Sequence, residues 1–434
     1  MPISSRDKQL LKLAVPALGA LLAEPLYVLA DTAVVGHLGT SALGGLGVSS
    51  SALMLIYGLC FFLAYGTTAT IARLMGAKKN KEAANQIVQS IWLAVFTGVF
   101  LGAIVFLFSS QLLGAMGATG DLLTQARIYL RISMYGAPAM LIMLAGVGYL
   151  RGVKDTVRPL WVSIGTAVLN LVIELVLIYG LDLGIGASAA ATVIAQWVGA
   201  FIYLVWIGKE IRIYEVSLAP QFLLLKRQVR ISTELLMRNL STAGTFLIAT
   251  AVATRISDVD VAAHQVAFQI WFTLAMAMDA MAIAAQAMVG NLLGAGSPVE
   301  ARKVGQRAIL WSVGVGIVGG GTLAIVHLPL AEVFSNDPSV ISLSGFLFLH
   351  VALMAPLSGV AFALDGILIG AGDHNYLAKA MAVASISATS VMLLTRIWDL
   401  GIGWLWAAVW IFMGLRSALL GSRFYSSRWQ VVGV

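Results

Sequence analysis

Charge is what this 434-residue chain has least of: 11% of its residues are Asp, Glu, Lys or Arg, where a soluble globular chain carries about 25%. Fifty-nine per cent are hydrophobic, which excludes an ordinary water-soluble domain. A single cysteine, Cys60, excludes an internal disulfide framework. The apolar segments carry no pair of histidines at metal-ligand spacing and no Ser–Lys or His-based dyad, so an intramembrane enzyme has nothing to work with. There is no phosphate-binding P-loop, which removes direct ATP drive in this chain. Gly314-x-Gly-x-x-Gly319 matches the dinucleotide fingerprint formally. It lies inside an apolar run with no strand before it, so it reads as small-residue helix packing. No cofactor and no nucleic-acid partner is called for.

What is present is a series of apolar runs near the length that crosses a bilayer. Twelve spans can be drawn, at about 8–37, 42–73, 83–108, 122–150, 158–180 and 186–208, then 228–256, 260–292, 300–328, 340–370, 376–398 and 401–424. The fold class expected is an all-α polytopic membrane protein. The run after Lys12 leads straight into further spans, so it reads as the first helix and not as a cleaved leader. Pro16 and Pro25 in the first span, Pro138 in the fourth and Pro356 in the tenth mark expected kinks.

The second half echoes the first at a constant offset of 218 residues. Ala137-Pro138, Gly148, Leu150, Gly152 and Asp155 return as Ala355-Pro356, Gly366, Leu368, Gly370 and Asp373. Leu74-Met-Gly-Ala77 returns as Leu292-Leu-Gly-Ala295, and Asp182-Leu-Gly-Ile-Gly186 returns, one residue out of step, as Asp399-Leu-Gly-Ile-Gly403. Two copies of one half make a transporter architecture the expectation. The boundaries read as an N-lobe at 1–208, a cytoplasmic linker at 209–227 and a C-lobe at 228–434.

Basic residues orient the chain. With the N-terminus inside, Arg6, Lys8, Lys12, Arg73, Lys78, Lys79, Lys81, Arg151, Lys154 and Arg158 fall on the cytoplasmic side. So do Lys209, Arg212, Lys226, Arg227, Arg230, Arg302, Lys303, Arg307, Lys379, Arg416, Arg423 and Arg428. The outer loops hold Asp121, Asp182, Asp258, Asp260, Glu332, Asp337 and Asp399. This positive-inside asymmetry accounts for the net charge of +7 without a polyanionic partner. Six spans per half give the lobes one orientation, hence a pseudo-twofold along the membrane normal.

The carboxylates inside spans are Glu24, Asp31, Glu174, Asp279 and Asp365. A charged carboxylate in lipid is costly, so each is a functional candidate. Tyr27 and Glu24 lie four and seven residues before Asp31, which puts all three on one helix face. Asn170 and Glu174 share a face of the fifth span by the same rule. Asp31, Glu174 and Thr192 each stand about six residues from an outer helix end, a common depth of roughly 9 Å. Three spans thus bring two carboxylates, an amide and two hydroxyls to one level. The second half repeats the scaffold without this cluster: Asp31 maps to Ala249 and Glu174 to Val391 or Met392. For Tyr27, Asn170 and Thr192, helix–helix hydrogen bonding is the alternative to a place in the coupling site.

Most other candidates carry two readings each. Asp279 is a second-lobe ion or substrate ligand, or a structural acid. Asp365 is part of an inward-facing gate or pairs locally. Glu24, on the Asp31 face two turns lower, is a candidate second protonation site. His264 is a packed histidine or a proton relay. Met276, Met278, Met281 and Met288 line a permissive surface or simply pack.

Tyr27, Asp31-Thr-Ala-Val-Val-Gly-His-Leu-Gly39, Arg151-Gly-Val-Lys-Asp155 and Asn170-x-x-x-Glu174 resemble the multidrug and toxic compound extrusion (MATE) family. Ala262-Ala-His-Gln265, Ala284-Ala-Gln-Ala-Met-Val-Gly290 and Asp365-Gly-Ile-Leu-Ile-Gly-Ala-Gly-Asp373 resemble its DNA-damage-inducible protein F branch. The resemblance runs over essentially the whole chain. It implies two six-helix lobes around a V-shaped cavity, and efflux of organic cations or other amphiphiles against inward H⁺ or Na⁺. It also implies a coupling pocket at Asp31, Tyr27, Asn170, Glu174 and Thr192. One departure stands out: the fifth-span acid, often aspartate in the family, is here the longer glutamate.

A proton-coupled antiporter is therefore the leading expectation. Na⁺ is the alternative, with Asp31, Asn170, Glu174 and Thr192 offering oxygens. A lipid-precursor flippase of the same superfamily is the third reading; such proteins carry cationic cavities, whereas the intramembrane charges found here are acidic. The expected partners are a small amphiphilic substrate, H⁺ or Na⁺, and the lipid bilayer. A monomer is expected, multi-pass in a prokaryotic inner (plasma) membrane, with both termini cytoplasmic. Cysteine labelling checks the topology. After removal of Cys60, a cysteine at position 218 should resist impermeant reagent added outside intact cells and react once the membrane is opened; labelling from outside overturns the orientation.

Overall fold

The computed structural model describes residues 4–181 and 183–433; Asp182, assigned above to an external loop, lies outside the described residues. Among the described residues there is no strand, and twelve helices are long and apolar enough to cross a membrane. They are α1 Ser5–Gly36, α2 Thr40–Gly76, α3 Asn80–Ala115, α4 Gly120–Gly152, α5 Val157–Gly180 and α6 Ile185–Ile213 in the first half. The second half supplies α7 Phe222–Ile256, α8 Asp258–Gly294, α9 Pro298–Phe334, α10 Pro338–Gly370, α11 His374–Ile397 and α12 Ile402–Tyr425. Helices are what a chain of this composition must form in lipid, because only they pair every backbone N–H and C=O within one segment. Large apolar side chains such as Phe100, Leu107, Val318 and Ile325 are exposed on the helix surfaces, as a lipid solvent permits.

Irregularities fall at few places. α2 breaks between Cys60 and Phe62. α4 carries a 3₁₀ turn, Met134–Gly136, immediately before Pro138. α5 ends in a single π turn, Val176–Gly180. Pro356 lies within a helix that continues through it without a break. The segment between Ile213 and Phe222 is shorter than the 209–227 linker drawn from composition, because α6 and α7 run on past their apolar cores.

The chain divides into two compact units, one of Gly19–Ser232 and one of Met1–Leu18 with Thr233–Val434. The opening turns of α1 therefore group with the second half. The buried Asp7 accepts from Trp311 Nε1 at 2.9 Å and pairs with Arg307 at 3.4 Å, while Arg6 pairs with Glu300 at 2.6 Å.

The 218-residue echo is a packing rule. In one unit, a Cβ on Gly98 would stand 2.5 Å from Pro138 Cα, and one on Gly148 would stand 2.6 Å from the Ala64 carbonyl oxygen. In the other unit the equivalent Gly316 would meet the Ala355 carbonyl oxygen at 2.5 Å, and Gly366 would run into the Ala282 carbonyl. The repeated glycines let α3 and α4, and α9 and α10, approach backbone to backbone, as do α2 and α4, and α8 and α10. Without a hydrophobic force between helices in lipid, such close contact is what holds them together. Gly316 and Gly319 also account for the false dinucleotide fingerprint: they face α10 and Leu274 of α8.

Gly148→Ala and Gly366→Ala should each destabilise the purified protein by about 1–3 kcal/mol, the cost of forcing atoms into a filled contact. Gly47→Ala, where nothing lies within 4 Å of the added carbon, should not. Thermal unfolding in detergent distinguishes the three.

Candidate functional site

Helical spacing alone lines up Tyr27 with Asp31 on α1, and Asn170 with Glu174 on α5. The fold of the Gly19–Ser232 unit brings those two faces against the outer end of α6. Tyr27 Oη lies 2.8 Å from Thr192 Oγ1. Asn170 Nδ2 donates to Thr192 Oγ1 at 2.9 Å and to Tyr27 Oη at 3.3 Å. Thr192 Oγ1 donates to the Ser188 carbonyl, one turn back on α6, at 3.1 Å. Ser188 Oγ donates to Asp31 Oδ1 at 2.5 Å. Glu174 faces Asp31 and Ser188 across the cluster, and the π turn that ends α5 begins two residues after it. Asp31 is 3% exposed and Glu174 is 0% exposed, so neither carboxyl reaches solvent.

The hydrogens can be counted. Thr192 has one and gives it to the Ser188 carbonyl, so Tyr27 is the donor in the Tyr27–Thr192 bond. Both Asn170 amide hydrogens are used on Thr192 and Tyr27. Ser188 gives its one hydrogen to Asp31. Nothing in this set is left for Glu174, and both of its oxygens are buried without a donor, as is Asn170 Oδ1. These side chains offer more acceptors than donors; the Tyr129 hydroxyl, which faces Ser188 and Thr192, is a further donor at the cluster's edge. A buried acceptor without a partner costs about 1–3 kcal/mol, and more when charged. Two facing carboxyls are relieved by one added cation: a proton turns one of them into a donor to the other, and a bare metal ion is bound by the same oxygens.

Of the residues singled out by spacing, the structure brings together Tyr27, Asp31, Asn170, Glu174 and Thr192. Glu24 is exposed and stands outside this hydrogen-bonded set. Asp279 is half-buried on α8, in the other unit. Two members were missed. Ser188 sits in the run Ala187-Ser-Ala-Ala-Ala191, which reads as small-residue packing; its position four residues before Thr192 was the available signal. Tyr129 of α4, 3% exposed, faces Tyr27, Asp31, Ser188 and Thr192; the one acid of α4, Asp121, lies in its first turn and gave no signal for it.

The C-terminal unit holds a different buried cluster, and it corrects two expectations. Asp365 of α10 is paired with Arg238 of α7 and with Arg416 of α12, the latter at 3.1 Å, so it pairs locally. Arg416, counted above as a cytoplasmic topology signal, is 2% exposed and lies over the Phe362 ring at 4.9 Å. The inference that intramembrane charges are all acidic fails for the same reason: Arg238 and Arg416 are buried beside an acid that offsets their desolvation. His264 is buried, with Nε2 3.2 Å from Thr250 Oγ1 and its ring stacked on Phe268, which is the packed reading. Met278, Met281 and Met288 are buried in packing.

Comparison with known proteins shows what the chain as a whole is similar to. The MatE family model matches twice, at residues 16–176 and 235–394, in register with the internal repeat. Protein DETOXIFICATION 44, chloroplastic, of Arabidopsis thaliana is 32% identical over 426 residues, covering 94% of this chain and 80% of that protein. DNA damage-inducible protein F of Escherichia coli (strain K12) is 29% identical, over 97% of this chain and 92% of the relative. A probable multidrug resistance protein NorM of Thermotoga maritima is 26% identical, over 98% and 93%. Among solved structures, the outward-facing conformation of a multidrug resistance MATE family transporter superposes with a TM-score of 0.87 at 22% identity, over 98% of this chain and 97% of that one. That likeness establishes the fold.

Proposed function

The chain belongs to the MATE family, whose members are transporters and not enzymes, and on that premise we propose that it exports organic cations or other amphiphilic toxic compounds in exchange for inward H⁺. The observation that carries this reading is the buried Asp31–Glu174 pair with no donor for Glu174. The names of its relatives, which speak of multidrug resistance and detoxification, support the substrate class.

In this mechanism the pair is the exchange point. Facing outward, it takes up a proton, which Glu174 and Asp31 share. Loss of negative charge weakens the hold on a cationic substrate, which leaves outward. α1 carries Asp31 and two prolines, Pro16 and Pro25, each lacking the N–H that would stiffen the helix there. It is the element suited to bend with the change. Facing inward, proton release restores the charged site for the next substrate. A proton can drive export only through its different affinity for the two states, so proton and substrate must compete. The roles of Tyr27, Asn170 and Thr192 are to tie α1, α5 and α6 together around the pair.

Asp31→Asn imitates the protonated carboxyl permanently. It should abolish efflux driven by a pH gradient in proteoliposomes while the protein still folds and inserts. Glu174→Gln should make substrate binding insensitive to pH. In the unmodified protein, affinity for a lipophilic cation should fall as pH is lowered. Affinity that ignores pH but falls on adding Na⁺ assigns sodium to the same acceptors and overturns the proton reading.

A further inference from the structure

The first helix of each half begins in one unit and continues in the other. α1 passes over at Leu18–Gly19, and α7 at Ser232–Thr233. We propose that these two starts are exchanged anchors: each is fastened permanently to the third helix of the opposite half, and Asp7, Arg307 and Trp311 are the positioning residues that hold α1 in this way. The anchors lie apart from the acid pair, and the proposal rests on the reading above only for its effect on export.

The anchor of α1 is ionic. Glu300, Arg307 and Trp311 follow one another at helical spacing, so they form one stripe along α9. At the start of α1, Ser4 and Asp7 cap each other. Asp7 Oδ2 accepts from Ser4 N and from Ser4 Oγ, both at 2.7 Å, and Asp7 N donates to Ser4 Oγ at 3.3 Å. The capped carboxylate meets the stripe. Its Oδ1 accepts from Trp311 Nε1 at 2.9 Å, and its Oδ2 lies 3.4 Å from Arg307. Beside it, Arg6 Nη2 donates to Glu300 at 2.6 Å. Asp7 is 2% exposed. Pulling the start away from α9 would strip a buried carboxylate of its donors, which is a costly state.

The anchor of α7 is built from amides on the equivalent helix, α3. Gln89 precedes Arg307 by the 218-residue offset of the repeat. Its side-chain oxygen accepts from Gln221 N at 2.8 Å, and its Nε2 donates to the Ala219 carbonyl at 3.3 Å, directly before α7 begins. Trp92 Nε1 donates to the Leu218 carbonyl at 2.8 Å, as Trp311 does to Asp7. Deeper in, Gln86 Nε2 donates to Gln228 Oε1 at 3.0 Å, and Gln228 Nε2 donates to Ser90 Oγ at 2.6 Å. Gln86, Ser90 and Gln228 are all buried, so parting them would leave polar groups unpaired away from water. Both starts are thus held by an indole N–H and by a side chain at one position of the repeat. The consequence for α1 is that two units grip it: one at Asp7, the other at Tyr27 and Asp31.

The test uses the full chain in lipid, with Cys60, its one cysteine, changed to serine. Spin labels at Lys8→Cys and Gln306→Cys report the start of α1 on α9. Labels at Leu223→Cys and Lys81→Cys report the start of α7 on α3. All four positions are exposed. Double electron–electron resonance should give each pair one narrow distance, unchanged by lowering the pH or by adding tetraphenylphosphonium. Asp7→Asn with Trp311→Phe should raise the undocked population of the first pair by about tenfold, the factor that a lost hydrogen bond to a charged group corresponds to, and leave the second pair alone. Gln89→Leu with Gln228→Leu should do the reverse. Trp311→Phe alone keeps the ion pair; it serves if the double variant does not fold and should give a smaller rise of the same kind. In proteoliposomes the α1 variants should export more slowly, with affinity for tetraphenylphosphonium and its pH dependence unchanged. A first-pair distance that moves with pH or with the cation overturns the permanent anchor. A first-pair distribution that stays narrow in the variants overturns the roles of Asp7 and Trp311. Affinity that falls in step with rate overturns positioning and marks general damage to the fold. Absence of pH-driven export by the unmodified protein, with the distances as expected, would remove the transport reading and leave the anchors standing.

Discussion

A polar group in lipid must find its partner inside the protein, and most of this structure follows from that constraint. The backbone obeys it by forming helices throughout the spans. The helices then need another reason to stay together, and the repeated glycines supply it by letting backbones touch. Gly98, Gly148, Gly316 and Gly366 lie where a single added carbon would collide with a neighbouring main chain. The same constraint governs the side chains. Asp365 meets it with two arginines. Glu174 faces another acid, Asp31, instead of a cation.

The contrast between the two halves shows how a duplicated scaffold acquires asymmetry. The packing glycines recur in both. The charged clusters do not. One unit carries an acid pair on α1 and α5, the other an acid between arginines on α7, α10 and α12. An acid clamped by two guanidinium groups has its charge held in place. An acid facing another acid has no such clamp.

Helix irregularities are placed with the same economy. The π turn at Val176–Gly180 starts just beyond Glu174, and the 3₁₀ turn at Met134–Gly136 lies one turn from Tyr129. Such turns are frequent at functional sites because they re-aim a side chain and loosen the ladder locally. Both flank the cluster. Elsewhere helices pass through proline without a break, as at Pro356.

Much of this was determined by the sequence by itself. Apolar runs of bilayer length compel helices, so their number follows from hydropathy. A period of 3.6 residues puts Tyr27 with Asp31, and Asn170 with Glu174, whatever the fold around them. The echo at 218 residues declares two copies of one half. What only the tertiary structure decided is which faces meet. Asp31 and Ser188 are 157 residues apart in the chain, and no local periodicity relates them. Arg416 looked like a topology signal near a helix end until α10 was seen to bring Asp365 beside it. The opening turns of α1 grouped with the second half because Asp7 found Trp311, 304 residues away. Local spacing fixes the direction of a side chain about its own helix axis; the rotation of one helix against another comes from packing over the whole unit, and hydrogen bonds between helices exist only once that rotation is set.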